Sequence, residues 1–141
     1  MSVPDNSTML VTSRRRLPVM VRTVDGAEVR SAVLAVAEWV RGEGERPSRE
    51  AVAAACRTTT AALAQDAPGH SVEVRVPPFA AVQCVAGTVH RRGTPPNVIQ
   101  CDPLTWLRLA TGLVDLDGSG AEVSGAHAAD VARWLPVVDL R

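Results

Sequence analysis

The sequence contains no lysine and no tyrosine, and large aromatic side chains are scarce, with one phenylalanine and three tryptophans among 141 residues. Positive charge therefore comes from arginine alone, and the 15 arginines balance 15 acidic residues to a net charge of zero. A neutral chain has no overall field that would attract nucleic acid or an anionic membrane from a distance. We therefore expect no nucleic-acid partner.

Cysteine motifs and long apolar runs are also missing. The three cysteines, Cys56, Cys84 and Cys101, form no CxxC pair, so neither a disulfide framework nor a zinc cluster is indicated. The longest apolar runs, at 31–40 and 79–85, are far shorter than the ~20 residues of a membrane-spanning helix. The apolar stretch after Arg14–Arg16 is too short for a signal peptide. We expect a cytoplasmic protein with no stable membrane insertion, no metal and no cofactor.

Catalytic motifs are absent as well, since the chain has no GxSxG, P-loop or dinucleotide-binding fingerprint. The histidines His70, His90 and His127 show no metal-ligand spacing. Cys101 lies where a strand gives way to a helix N-terminus, which lowers a thiol pKa, and Cys84 is the other candidate nucleophile. Burial as small apolar side chains is the simpler interpretation of both. We predict that the chain is not an enzyme, with a thiol-dependent enzyme as the weakest alternative.

The periodicity of the apolar residues predicts an α+β domain. Residues 1–24 are rich in Ser, Thr and Arg and are predicted to be a flexible lead-in, with 25–141 as a single domain. Strict alternation predicts a half-buried strand, and an apolar run predicts an interior strand with both faces covered. Apolar residues at helical spacing predict the helices. The predicted helices span 28–41, 49–65, 103–111 and 126–134, and the predicted strands span 71–76, 79–86, 97–101, 121–124 and 137–140.

Two long stretches resemble the sterol carrier protein orthologues of actinobacteria. They are SVEVRVPPFAAVQCV (Ser71–Val85) and RGTPPNVIQCDPLTWL (Arg92–Leu107), supported near the end by AEVSG (Ala121–Gly125). The resemblance covers about residues 26–138. The chain departs from the family pattern at Gln100, where the family has an acidic residue, and in its short connection from Gly112 to Gly120.

The resemblance implies a mostly antiparallel five-stranded sheet covered on one face by helices, with an apolar tunnel between the two layers. In better-known relatives that tunnel takes fatty acids, acyl-CoA or sterols. A tunnel needs apolar side chains that line a void, and each ligand CH₂ buried there contributes about 0.8 kcal/mol. The candidate ligand-binding residues are Val33, Val36, Phe79, Val82, Asn97, Val98, Trp106, Leu109 and Val123.

Each of these candidates also has a simpler interpretation. The apolar side chains fill a core at ordinary density if they pack against one another. Asn97, after Pro95–Pro96, is a candidate for the tunnel mouth, and Arg91 and Arg92 are candidates for contacting a carboxylate or phosphate head group. A rigid surface connector with solvated arginines is the simpler interpretation of this loop.

Two function classes remain. The favoured one is a non-catalytic binding module that holds a lipid such as a fatty acid or acyl-CoA between helices and sheet. The alternative is a structural or interaction domain with a filled core, acting as a homodimer or through a protein partner. An internal cavity favours the first, and a solid core with exposed apolar side chains favours the second.

Overall fold

A computed structural model describes residues 8–11, 19–87 and 96–141 of the chain. The α+β class predicted from the sequence is confirmed. The helices are α1 (Gly26–Leu34), α2 (Ala37–Val40), α3 (Arg49–Asp66), α4 (Pro103–Ala110) and a terminal 3₁₀ helix (Ala128–Trp134). The strands are β1 (Thr8–Val11), β2 (Val19–Arg22), β3 (Val72–Val76), β4 (Ala80–Cys84), β5 (Asn97–Gln100) and β6 (Glu122–Ser124).

The prediction of five mostly antiparallel strands is wrong. The main sheet has four strands in the order β4-β3-β5-β6, while β1 and β2 form a separate two-stranded antiparallel sheet. β3 pairs antiparallel with β4 but parallel with β5, which makes the sheet mixed. Periodicity predicts which face of a strand is buried but carries no information on strand direction, so the parallel pair was not predictable from it.

The predicted interior strand is instead an edge strand. β4 lies at one end of the sheet, and its Ala81 is exposed. Its other face packs against α3, where Cys84 is fully buried and Val82 is half-buried. A small side chain such as Ala81 satisfies an apolar pattern without needing cover, and for this reason the run of apolar residues was misleading.

The predicted fifth strand has a different role. The backbone N–H groups of Val137 and Val138 donate to the carbonyl of Ala110, at 2.7 and 3.2 Å, and that of Leu140 donates to the carbonyl of Thr111 at 2.9 Å. The last carbonyls of a helix have no partner within the helix itself. The tail therefore caps the last carbonyl groups of α4 instead of extending the sheet.

α3 forms as the sequence predicts and covers one face of the sheet. Ser48 caps it, since its hydroxyl accepts from the N–H of Ala51 at 3.2 Å. Its inner face is built of small residues, among them the fully buried Ala55 and Cys56. Small side chains let the helix lie close to β4 and α4.

The helix predicted over residues 28–41 is interrupted. α1 ends at Leu34 and α2 begins at Ala37, because Val36 leaves the helical conformation with φ −118° and ψ 4°. β-branched valine is a poor helix former. Val33, Val36 and Val40 are nevertheless all buried, so the periodicity correctly predicted the buried face.

Candidate functional site

A pocket of about 380 Å³ lies between the C-terminal end of α4 and the last segment of the chain. Most of its lining residues are apolar, but apolar and polar atoms contribute about equally to its exposed wall, and the lining residues Asp115, Asp117 and Arg141 are charged. We call it the C-terminal pocket. Its lining comprises Leu109, Gly112, Val114, Asp115, Leu116, Asp117, Ala129, Ala132, Leu135, Pro136 and Arg141.

Two sets of hydrogen bonds hold α4, whose Leu109 forms the inner wall of this pocket. The tail is bonded to Ala110 and Thr111 as described above, and the Nε of Arg108 donates to the carbonyl of Val40 at 2.9 Å. Gly112 then turns the chain away from α4 with a φ of 79°. Side chains other than glycine rarely adopt this left-handed conformation. Residues 114–117, which follow this turn, line the pocket.

The charged groups of the pocket differ in whether they have an ion-pair partner. Arg141 is held by Asp139, with Nη2 and Nε each 3.0 Å from a carboxylate oxygen. Hydrogen bonds from Arg141 lower the pKa of Asp139 to about 2. Neither Asp115 nor Asp117 forms an ion pair with an arginine among the described residues, although, in addition to Asp139, the negative charge of Asp115 also helps to raise the pKa of Arg141. The pocket therefore presents two carboxylates and one guanidinium that is already paired.

The apolar residues predicted to line a tunnel lie in several parts of the described structure. Leu109 lines the C-terminal pocket, whereas Phe79 lines a different one that is described below. Val36 and Trp106 belong to the main core, each 1% exposed, and Val82 packs against its edge. Val33 belongs to a separate cluster with Ala37 and Leu140. The ligand-binding role of these side chains stays a prediction.

The strand residues Val98 and Val123 are both partly or largely exposed. Val98 pairs with Glu73 and shares the half-exposed outer face of the sheet with it. Val123 pairs with Ile99 on the inner face, but it is 45% exposed because it stands on the edge strand β6. Binding by either residue stays a prediction.

Asn97 joins three segments of the chain. Its Nδ2 donates to the carbonyl of Ser71 at 2.8 Å, and its Oδ1 accepts from the N–H of His127 at 2.9 Å. A Cβ on Gly125 would come within 2.6 Å of the carbonyl of Pro96, so the turn that brings His127 to this bond requires glycine. Asn97 is 2% exposed, and its amide oxygen and nitrogen are both used within the protein.

The cysteines are poor nucleophiles in this structure. Burial raises the pKa of Cys56 and of Cys101 to about 12 and that of Cys84 to about 11. The thiolate is the reactive form, and at neutral pH almost none of it is present at such a pKa. A helix N-terminus lowers a thiol pKa only when it outweighs desolvation, and at Cys101 desolvation dominates.

The remaining polar candidates are His70 and His127, which lie at the surface, and three residues that lie outside the described part of the chain. The exposed His70 ring lies 2.8 Å from the amide oxygen of Gln83, and His127 is 3.5 Å from a carboxylate oxygen of Asp130. His90, Arg91 and Arg92 lie outside the described residues.

A second pocket of about 330 Å³ lies beside the first half of α3. It is lined by Arg49, Glu50, Ala53, Ala54, Arg57 and Phe79, and we call it the arginine pocket. The sequence contained one signal for it, because residues 49, 53 and 57 are spaced four apart and so share one face of a helix. The C-terminal pocket had no comparable signal, since it depends on how the tail packs against α4.

Within the described ranges, no helix is long and apolar enough to cross a membrane. No curated protein matches the chain. The family model described as "Bacterial SCP ortholog" matches residues 48–137, close to two thirds of the chain, and this span includes α3, the whole main sheet, α4 and the terminal 3₁₀ helix. The chain therefore belongs to the family of bacterial sterol carrier protein (SCP) orthologues.

Proposed function

We propose that this protein is a non-catalytic carrier that binds an apolar ligand, such as the acyl chain of a lipid, at the C-terminal pocket. The observation that carries the proposal is the C-terminal pocket, whose volume of about 380 Å³ lies within the range of small-molecule sites. Membership of the SCP family supports a lipid ligand. The raised pKa values of the three thiols support a role without nucleophilic catalysis.

Leu109 links this pocket to the predicted tunnel. Its side chain is part of the main core and also forms the inner wall of the pocket. Trp106 lies three residues earlier on the same face of α4. An acyl chain that occupies the pocket and displaces Leu109 would run inward along α4 toward Trp106, and each methylene that it buries would contribute about 0.8 kcal/mol.

The charges of the pocket favour one kind of polar end group. Asp115 and Asp117 repel a carboxylate, and Arg141 is already bound by Asp139. Repulsion between like charges weakens binding when the charges lie closer together than a Debye length, because salt screens them little at that distance. We therefore expect a fatty alcohol to bind at least as tightly as the fatty acid of the same length.

A variant that fills the pocket tests the proposal. Ala132 is an exposed lining residue, so Ala132→Trp places an indole in the pocket without disturbing the core. We expect it to weaken the binding of a fluorescent acyl probe at least tenfold. The matched control is Ala126→Trp, an exposed alanine outside the pocket lining, which we expect to bind like the parent protein. Equal affinity of parent and Ala132→Trp for the probe would contradict the proposal.

The alternative function is an interaction domain with a filled core. It is supported by the tight burial of Val33, Val36 and Trp106 and by the exposure of Val123, Leu34 and Trp134, at 45%, 51% and 42%. Sedimentation equilibrium over a range of concentrations distinguishes the two. A stable dimer that Val123→Lys dissociates, together with no binding of acyl probes, would favour the alternative.

A further inference from the structure

We propose that the arginine pocket binds a phosphate group, with Arg49 and Arg57 as the residues that contact it. The two arginines lie eight residues apart on α3, about 12 Å along the helix axis at 1.5 Å per residue. Both side chains nevertheless contact the same residue, Phe79. The guanidinium carbon of Arg49 is 5.0 Å from the centre of the Phe79 ring, and the Nε of Arg57 donates to the Phe79 carbonyl at 3.2 Å.

These contacts leave most of each guanidinium available. Within the described part of the chain, Arg57 forms a hydrogen bond only through its Nε, and Arg49 contacts an aromatic face, which engages none of its N–H groups. Among the described residues, the ion pairs involve Glu73 with Arg75, His127 with Asp130, and Asp139 with Arg141. Neither Arg49 nor Arg57 has a carboxylate partner in that part of the chain. Guanidinium groups fixed in this way can donate two parallel hydrogen bonds to phosphate oxygens.

The rest of the pocket suits a small anion. Ala53 and Ala54 line it with short side chains and so leave the volume of about 330 Å³ open beside the two arginines. The positive end of the α3 macrodipole adds potential of the same sign at Arg49, the first residue of the helix. At the buried Cys56, desolvation raises the thiol pKa, the positive charges of Arg46 and Arg57 lower it, and the carboxylate of Asp102 raises it.

The negative charge of Glu50 opposes the positive charge of the two arginines. It lines the same pocket and is exposed, so it reduces the net charge available to an anion. This predicts an effect that a purely structural role for the arginines would not produce. Glu50→Gln should raise phosphate affinity, whereas loss of either arginine should lower it.

The phosphate site is independent of the proposed carrier function. Among the residues that the structure describes, the two pockets share no lining residue. Acyl binding can therefore fail in Ala132→Trp while phosphate binding persists, and the reverse holds for variants of Arg49. The two proposals stand or fall on separate measurements.

An NMR titration of the full chain with inorganic phosphate and with pyrophosphate tests the site. We expect Arg49→Gln to bind at least tenfold more weakly, Arg57→Gln to do the same, and Glu50→Gln to bind a few-fold more tightly. Arg49→Gln leaves the bond from Arg57 to Phe79 intact, so it keeps the test valid if Arg57→Gln fails to fold. The control is Arg30→Gln, at an exposed position on α1, which should bind like the parent.

A second arm distinguishes a free phosphate from a lipid head group. Flotation with phosphatidylcholine vesicles, with and without phosphatidic acid, is compared for the parent and Arg49→Gln. Binding to phosphatidic acid that requires Arg49, without binding of free phosphate, assigns the site to a head group. Binding of free phosphate or pyrophosphate that requires Arg49 assigns it to a dissolved ligand. No binding in either arm, or an equal loss in Arg30→Gln, would overturn the proposal.

Discussion

The centre of the core and the C-terminal pocket are both built on α4, yet one is filled and the other is open. Trp106 is 1% exposed, and its indole N–H donates to the hydroxyl of Thr59 at 2.8 Å. Leu109, three residues later, is equally buried but forms the wall of a pocket of about 380 Å³. The difference lies in what faces the helix. α3 presents small side chains and lies close to Trp106, whereas Leu109 faces a turn and a short 3₁₀ helix that leave space.

The largest expected effect tests whether the centre is a filled core. Trp106→Ala removes a fully buried indole and leaves the hydroxyl of Thr59 without its donor. We expect the free energy of unfolding in urea to fall by about 3–5 kcal/mol. The matched variant Trp134→Ala, at a tryptophan 42% exposed, should cost less than about 1 kcal/mol. Similar costs for both would contradict a closed centre.

A smaller effect is expected at Asn97, where the sheet meets the segment before the 3₁₀ helix. Asn97→Ala leaves the buried carbonyl of Ser71 and the N–H of His127 without their partner. We expect a loss of about 2 kcal/mol in urea unfolding, because an unpaired buried polar group costs about 1–3 kcal/mol. Gln100→Ala, at a half-exposed position on the outer face of the same strand, should change stability by less than about 0.5 kcal/mol.

This pair of variants also tests the binding role predicted for Asn97. We expect the Asn97→Ala protein that remains folded to keep its affinity for an acyl probe. A loss of affinity with unchanged stability would instead make Asn97 a ligand-binding residue.

The smallest effect concerns the buried thiols. Burial alone raises the pKa of Cys84 to about 11, whereas the unfolded chain titrates near 9. Between these values the unfolded state has lost its proton and the folded state has kept it, so stability falls as pH rises. We expect the loss of unfolding free energy from pH 8 to pH 10 to be about 1 kcal/mol smaller in Cys84→Ala than in the parent. An identical pH dependence would show that water reaches this thiol.

Local structure could be predicted from the sequence where one chemical signal determines it. Ser48 and Pro103 mark the starts of α3 and α4, and the alternation in residues 71–76 marks β3. The breaks were harder to predict, because the valines of residues 29–40 keep helical spacing across the interruption at Val36. The tail has an apolar pattern that fits a strand, but it instead bonds to the end of α4.

The candidate sites were less predictable, because a void is a property of packing. All of the predicted ligand-binding residues except Asn97 are apolar, and the sequence does not distinguish an apolar side chain that fills space from one that lines a void. Leu109 is both a predicted ligand-binding residue and part of the C-terminal pocket, whereas Ala132 and Pro136 lie in a segment whose position depends on contacts with α4. The arginine pocket brings α3 together with Phe79, a residue more than twenty positions further along the chain.

Native mass spectrometry of freshly purified protein, compared with a denatured control, tests the central claim most directly. We predict a non-covalent adduct of lipid mass that disappears on unfolding and is absent from Ala132→Trp but present in Ala126→Trp. Bare parent protein that also takes up no fatty alcohol, fatty acid or acyl-CoA on addition would contradict the carrier function.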